Sequence, residues 1–161
     1  MKRRSGFVSN SSSSSFIFIF RDGKPTAESL GKLIGSAAEY HWSGKSERIY
    51  DSGEIGKFMF NSLSGSASTL PEIKEHLSEF YNIDDEPDDS PDRYSWKLTT
   101  EQHKEETIKF SKKLVDLTKV FFDKNGFIYI VEFEDDAGGI ERLVECGEYF
   151  SKIEHLKNSH H

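Results

Sequence analysis

Five consecutive serines, Ser11 to Ser15, follow Asn10 and lead into the apolar run "FIFIF"; Lys2, Arg3 and Arg4 lie just upstream. Serine hydroxyls and successive backbone N–H groups can surround a phosphate or a carboxylate, and nearby cations strengthen the attraction. The stretch lacks the glycine spacing and the Gly-Lys-Ser/Thr ending of a P-loop, so any such cradle would be of another kind. By composition alone the same serines read as a solvated tail, because they bury too little surface to offset the entropy of ordering. A tail phosphorylated by a kinase that reads the basic flank is a third use of the same residues.

The other end of the chain carries His155, His160 and His161. Imidazole titrates near neutrality and can move a proton or ligate a metal. With Glu145 or Glu148 the histidines make a formal ligand set, but neighbouring residues in a strand point to opposite faces. His160 and His161 therefore do not converge on one ion, and no metal site is assigned. Because domain termini often lie close together, the two ends combine into one expectation. Arg4, Asn10, Ser11, Ser12, Ser13, Ser14 and Ser15 form the ligand-binding wall of a pocket for a phosphate-bearing molecule. His155, His160 and His161 face it as acid/base groups. The residues name no cofactor.

Positioning such a site falls to a small set of elements. Phe16–Phe20 is aromatic and β-branched throughout and reads as a strand buried on both faces, followed by an Asp22-Gly23 turn. Thr26 caps a helix whose apolar positions Leu30, Leu33, Ile34, Ala37 and Ala38 follow helical spacing. Between Gly and Ser punctuation, a short strand near Arg48–Tyr50 and a strand or helical turn near Ile55–Phe60 are expected. Thr69-Leu70-Pro71-Glu72 is a capping box opening a helix with Leu70, Ile73, Leu77 and Phe80 as its stripe. The acidic segment 82–95 is a solvated loop, and "YSWKL" after it suits an edge strand. Thr99 and Gln102 open the longest helix, roughly Thr100 to Asp123, with Ile108, Phe110 or Ser111, Leu114, Leu117, Val120 and Phe121 inward. Asn125-Gly126 should end it in the left-handed region. "FIYIVEFE" is the clearest strand, "DDAGG" a turn, and "IERLVECG" its hairpin partner or a short helix. The fold class is α+β, one domain over 1–161 with a small mixed or antiparallel sheet and about three helices packed on it, or a mixed sheet with helices on one side.

The bulk numbers bound the function. A chain of 161 residues can bury a real core, and 13 Phe, 6 Tyr and 2 Trp supply the apolar area. A net charge of −7 repels phosphate backbones over most of the surface, and basic-aromatic interleaving is confined to Tyr40, Trp42 and Lys45, so direct nucleic-acid binding is disfavoured. The single cysteine, Cys146, excludes an internal disulfide and a multi-cysteine zinc site, and it reads as a small buried residue rather than a nucleophile. "FIFIF" is shorter than the roughly 7–15 residues of a signal-peptide core, and no run approaches the ~20 apolar residues of a membrane span. A cytoplasmic protein without membrane association is expected. Asp135, Asp136 and Glu141 suit a solvated hairpin turn better than a cation site, and His41, His76 and His103 lack partner motifs and read as surface or boundary residues.

Arg4, Gly6, Phe7, Val8, Ser9, Asn10, Ser11 to Ser15 and Phe16 together form an Arg-x-Gly-Phe-Val-Ser-Asn-Ser-Ser-Ser-Ser-Ser-Phe motif. It resembles the opening of a group of proteins from tailed bacteriophages and some bacteria. The ending is similar too, through Glu145, Gly147, Phe150, His155, Ser159, His160 and His161. The likeness covers the two ends and leaves roughly 21–125 unmatched. It implies a phage or mobile-element origin and a native Ser-His-His ending, rather than the remnant of a purification tag, but no activity. On that footing the leading expectation is a phage-type accessory protein in the infected cytosol, binding a host or phage protein in host takeover or counter-defence. The alternative is a small enzyme or sensor of a phosphate-bearing small molecule using the joined termini. A virion-associated structural role is a third reading.

Overall fold

A computed structural model describes residues 13–40, 46–64, 68–134 and 150–159. The elements are β1 (Ser13–Phe20), α1 (Ala27–Ile34), β2 (Ala37–Tyr40), β3 (Ser46–Tyr50), α2 (Ser52–Ser64), α3 (Leu70–Phe80), α4 (Thr100–Phe122), β4 (Phe127–Glu134) and β5 (His155–Ser159). The fold is α+β. Strands β4, β1 and β5 form an antiparallel sheet in that order, and β2 and β3 form a separate antiparallel pair. Asp135, Asp136, Glu141, Glu145, Cys146, Gly147 and Glu148 lie outside the described residues, as do His41, Trp42 and Lys45.

Strand β1 is the centre of the molecule, for a reason written in its side chains. Phe16 and Phe18 point to one face and Ile17 and Ile19 to the other, and all four are buried. A strand apolar on both faces needs cover on both. Phe16 and Phe18 meet Leu30 of α1, Ile55, Met59 and Leu63 of α2, and Phe150 and Ile153. Ile17 and Ile19 meet Ile73 and Leu77 of α3 and Phe110, Leu117 and Val120 of α4. The helices therefore lie on both sides of the sheet, correcting the one-sided expectation, and they number four among the described residues. Each fully buried Phe, Leu or Ile contributes roughly 1.5–3 kcal/mol by transfer from water.

The added helix is α2, where Gly and Ser punctuation concealed a helical stripe of Ile55, Met59 and Leu63. Conversely, α1 stops at Ile34. Gly35, at φ +82, redirects the chain, so Ala37 and Ala38 belong to β2 rather than to the helix. The boxes at Thr26, Thr69 and Thr99 are all formed. In α4, Ile108 is 57% exposed rather than inward. Asp123 is an extended C-cap, and Gly126 is not left-handed. Where the chain leaves β1 and enters β4, the Gly23 N–H donates to the Asn125 carbonyl at 2.8 Å, closing the base of the helical insertion.

Candidate functional site

Strands β1 and β5 are neighbours, so the serine segment and the C-terminal segment are joined by a ladder. Ser14 pairs with Ser159 and Ser15 with Asn158, while Phe18 pairs with His155. Ser13, Ser14 and Ser15 lie in a strand rather than a loop: they are the first residues of β1, paired on the other side with Glu134, Phe133 and Glu132. Because a strand alternates, its serines divide between faces. Ser14 is fully buried on the Phe16 side. Ser15 faces α3, where it shares with His76, Glu79, Phe80 and Asn158 a cavity of about 10 Å³, room for a single water. His76 Nδ1 lies 4.0 Å from Glu79 Oε1. This Ser–His–Glu–Asn grouping was not visible in the sequence, because it depends on α3 packing across the β1–β5 seam.

His155 sits elsewhere. Its register partner is Phe18, four positions from Ser14 and so roughly 13 Å along the strand. Its ring packs against Phe16, Phe18 and Phe150, and its Nδ1–H donates to the Ile153 carbonyl at 2.7 Å. That bond leaves Nε2 as the acceptor in the neutral ring. The structure thus joins Ser14 and Ser15 to the C-terminal strand but not to His155. Arg4, Asn10, Ser11, Ser12, His160 and His161 lie outside the described residues. Among the described residues no group of three or more His, Cys, Asp and Glu side chains is placed to hold a metal. None of their helices is long and apolar enough to cross a membrane.

The second candidate is the connection between α3 and α4. Segment 82–95 is acidic, with Asp84, Asp85, Glu86, Asp88, Asp89 and Asp92 against Arg93, yet it is built rather than merely solvated. Asn82, at φ 57, donates its side-chain amide to the Trp96 carbonyl. His103 Nε2–H donates to the Ile83 carbonyl at 3.1 Å. The Asp88 N–H reaches the Leu98 carbonyl at 2.9 Å. Asp88 accepts from the Ser90 N–H and hydroxyl at 2.9 and 2.6 Å. Asp89 accepts from the Thr100 N–H and hydroxyl at 2.8 and 2.6 Å. These bonds from Ser90 and from Thr100 hold the Asp88 and Asp89 carboxyls below the usual range.

What this frame carries is a pair of aromatic rings. "YSWKL" is a turn and not an edge strand, closed by a bond from the Lys97 N–H to the Tyr94 carbonyl at 3.0 Å. Tyr94 and Trp96 stack with centroids 4.4 Å apart and planes 18° from parallel. They are 64% and 52% exposed, whereas most aromatic rings among the described residues are packed into one of two clusters.

A third feature is a surface groove of about 400 Å³ at the end of β1, lined by Arg21, Lys24, Leu33, Lys152, Ile153 and Glu154 among others. Arg21 is committed within it. Its guanidinium bonds Glu154 at 2.7 and 2.8 Å and Asp116 of α4 at 2.8 and 3.1 Å. The Arg21 hydrogen bonds hold both carboxyls below their usual range and raise the guanidinium's own pKa. This is a tie between β1, α4 and the lead into β5. No family model, curated protein or solved structure matches the chain.

Proposed function

We propose that the chain is a phage-type accessory protein that acts in the host cytosol by binding another protein, with the loop between α3 and α4 as its docking surface. The observation that supports this most is the exposed, rigidly framed Tyr94–Trp96 stack. Long connections without regular structure are uncommon in compact domains and are usually functional or disordered, and this one is tied at six points. Aromatic side chains are the residues that most often dominate binding energy at interfaces. Here two of them are displayed at the cost of exposing apolar surface. The surrounding carboxylates select a partner with a basic surface.

The test is a double variant, Tyr94→Ala with Trp96→Ala, which removes no core contact. A stoichiometric protein partner should co-purify with the wild-type chain from the infected host. The same partner, purified, should bind the wild type and lose at least tenfold in affinity for the variant, with far-UV circular dichroism unchanged. Equal affinity of both forms would place the docking surface elsewhere, and the absence of any stoichiometric partner would end the reading.

The pairing of Ser14 with Ser159 and Ser15 with Asn158 favours a second reading: a small enzyme or sensor of a phosphate-bearing ligand held between the serine segment and the C-terminal histidines. Inorganic phosphate or a nucleotide should then slow amide exchange in residues 13–16 and 155–159 together. No slowing at millimolar ligand would remove it.

A further inference from the structure

We infer that the Tyr94–Trp96 stack is a seat for arginine, so that the partner presents an arginine-bearing basic segment to the loop between α3 and α4; this rests on the docking reading above. With the rings packed on each other, each has one outer face to offer, and an aromatic face attracts cations through its quadrupole. Among the described residues no cation occupies those faces. The cation that does lie over a ring is Lys157, 5.6 Å from the centre of Phe16. Arg93 and Lys97 flank the rings in sequence.

The carboxylates around the rings say what kind of cation fits. Asp88 and Asp89 are engaged by Ser90 and Thr100 and serve to shape the loop. Asp84, Glu86 and Asp92 are exposed. The bond from Asn82 to the Trp96 carbonyl brings the limb carrying Asp84 and Glu86 beside the limb carrying the rings, and Asp92 precedes Tyr94 by two residues. A guanidinium is planar, weakly hydrated and forked. It can lie flat on an indole while its edge donates two parallel bonds to a carboxylate. An ammonium can pair with the same carboxylates but gains less from the ring, because it holds its water more tightly. Stacked aromatics bordered by carboxylates therefore discriminate arginine from lysine, whereas carboxylates alone would not.

The experiment titrates the full chain with two capped peptides, four repeats of Gly-Ser-Arg or four of Gly-Ser-Lys, followed by calorimetry and by the Trp96 indole N–H resonance, assigned with a Trp42→Phe variant. The arginine peptide should bind about two- to fivefold more tightly than the lysine peptide and shift the Trp96 resonance. Trp96→Ala or Tyr94→Ala should abolish the preference. Asp84→Asn with Glu86→Gln and Asp92→Asn should weaken both peptides alike. Equal affinity for the two peptides, a preference that survives loss of both rings, or no binding at all would each overturn the inference. Its failure is separable from that of the docking reading. A protein partner lost with the double ring variant, but without arginine preference, sinks only the arginine seat. An arginine preference with no protein partner sinks only the docking reading.

Discussion

Arg21 holds two carboxylates with one guanidinium, and the consequence is pH-dependent stability. Its hydrogen bonds depress the folded pKa values of Asp116 and Glu154. A carboxyl whose folded pKa lies below its unfolded value stabilises the fold at all pH above the unfolded value, near 4. That contribution fades as pH falls through the folded value. The three side chains are 42%, 37% and 41% exposed, so solvent screens the cluster and its share is about 1 kcal/mol despite the paired geometry. Arg21→Met keeps the aliphatic stem and should lower stability by about that amount at neutral pH. Urea titrations should show the difference between wild type and variant shrinking towards zero as pH falls from the unfolded carboxyl value through the depressed folded values. A gap that stays constant with pH would mean the arginine acts through packing alone.

At the scale of elements, α1 and α2 cross so closely that only hydrogen fits. A Cβ on Gly31 would collide with the Ser52 carbonyl, and one on Gly56 with the Ala27 carbonyl and the backbone of Gly31. Alanine gains about 1 kcal/mol of helix propensity over glycine, yet here backbone would have to move. Gly31→Ala and Gly56→Ala should each cost about 1–3 kcal/mol in net stability. Gly53→Ala, where the nearest outside atom is a side-chain oxygen of Asp51 at 3.2 Å, should be near neutral. Equal effects at all three positions in thermal melts would refute the close crossing. For the loop between α3 and α4, Asp89→Ala should speed amide exchange at Thr100 and Asp88, whose N–H groups donate to Asp89 and to the Leu98 carbonyl, while leaving Phe110 and Leu117 protected. Slowed or unchanged exchange at Thr100 would mean the loop keeps its frame without that carboxylate. These elements also show what the sequence could disclose. Capping boxes at Thr69 and Thr99 are local chemistry and were legible, as was β4. α2 was legible only as a strand or a helical turn, because glycines that permit a close crossing look like loop punctuation when the opposing helix is unknown. Serines 13–15 join β1 because β4 and β5 offer them partners, a long-range fact that serine's weak strand preference does not announce. Tyr94 and Trp96 alternate as an edge strand would. Only the tertiary bonds at Asn82 and Asp88 make them a turn.

At the scale of the whole molecule, the sheet couples distant parts of the chain: β1 opens the described fold, β4 and β5 close it, and the helices lie between. Both apolar clusters end on β1, Phe16 and Phe18 supporting α1 and α2, Ile17 and Ile19 supporting α3 and α4. If those clusters were separate, a cavity in one would loosen only its own helices. Because they share the two faces of one three-stranded sheet, loss of β1 removes the floor of both. Phe18→Ala should therefore cost about 3–5 kcal/mol and Ile17→Ala about 2–5 kcal/mol. Under native conditions each variant should lower the exchange protection of the α1–α2 and α3–α4 cores by the same free energy, although each cavity lies on one side only. Chemical unfolding should stay a single transition by far-UV circular dichroism and by Trp96 fluorescence in the Trp42→Phe background, since a two-state unit reports the same midpoint to every probe. If Phe18→Ala destabilised α1 and α2 but left Leu77 and Leu117 fully protected, the chain would consist of two cooperative layers. The antiparallel sheet would then be a seam between them and not their common core.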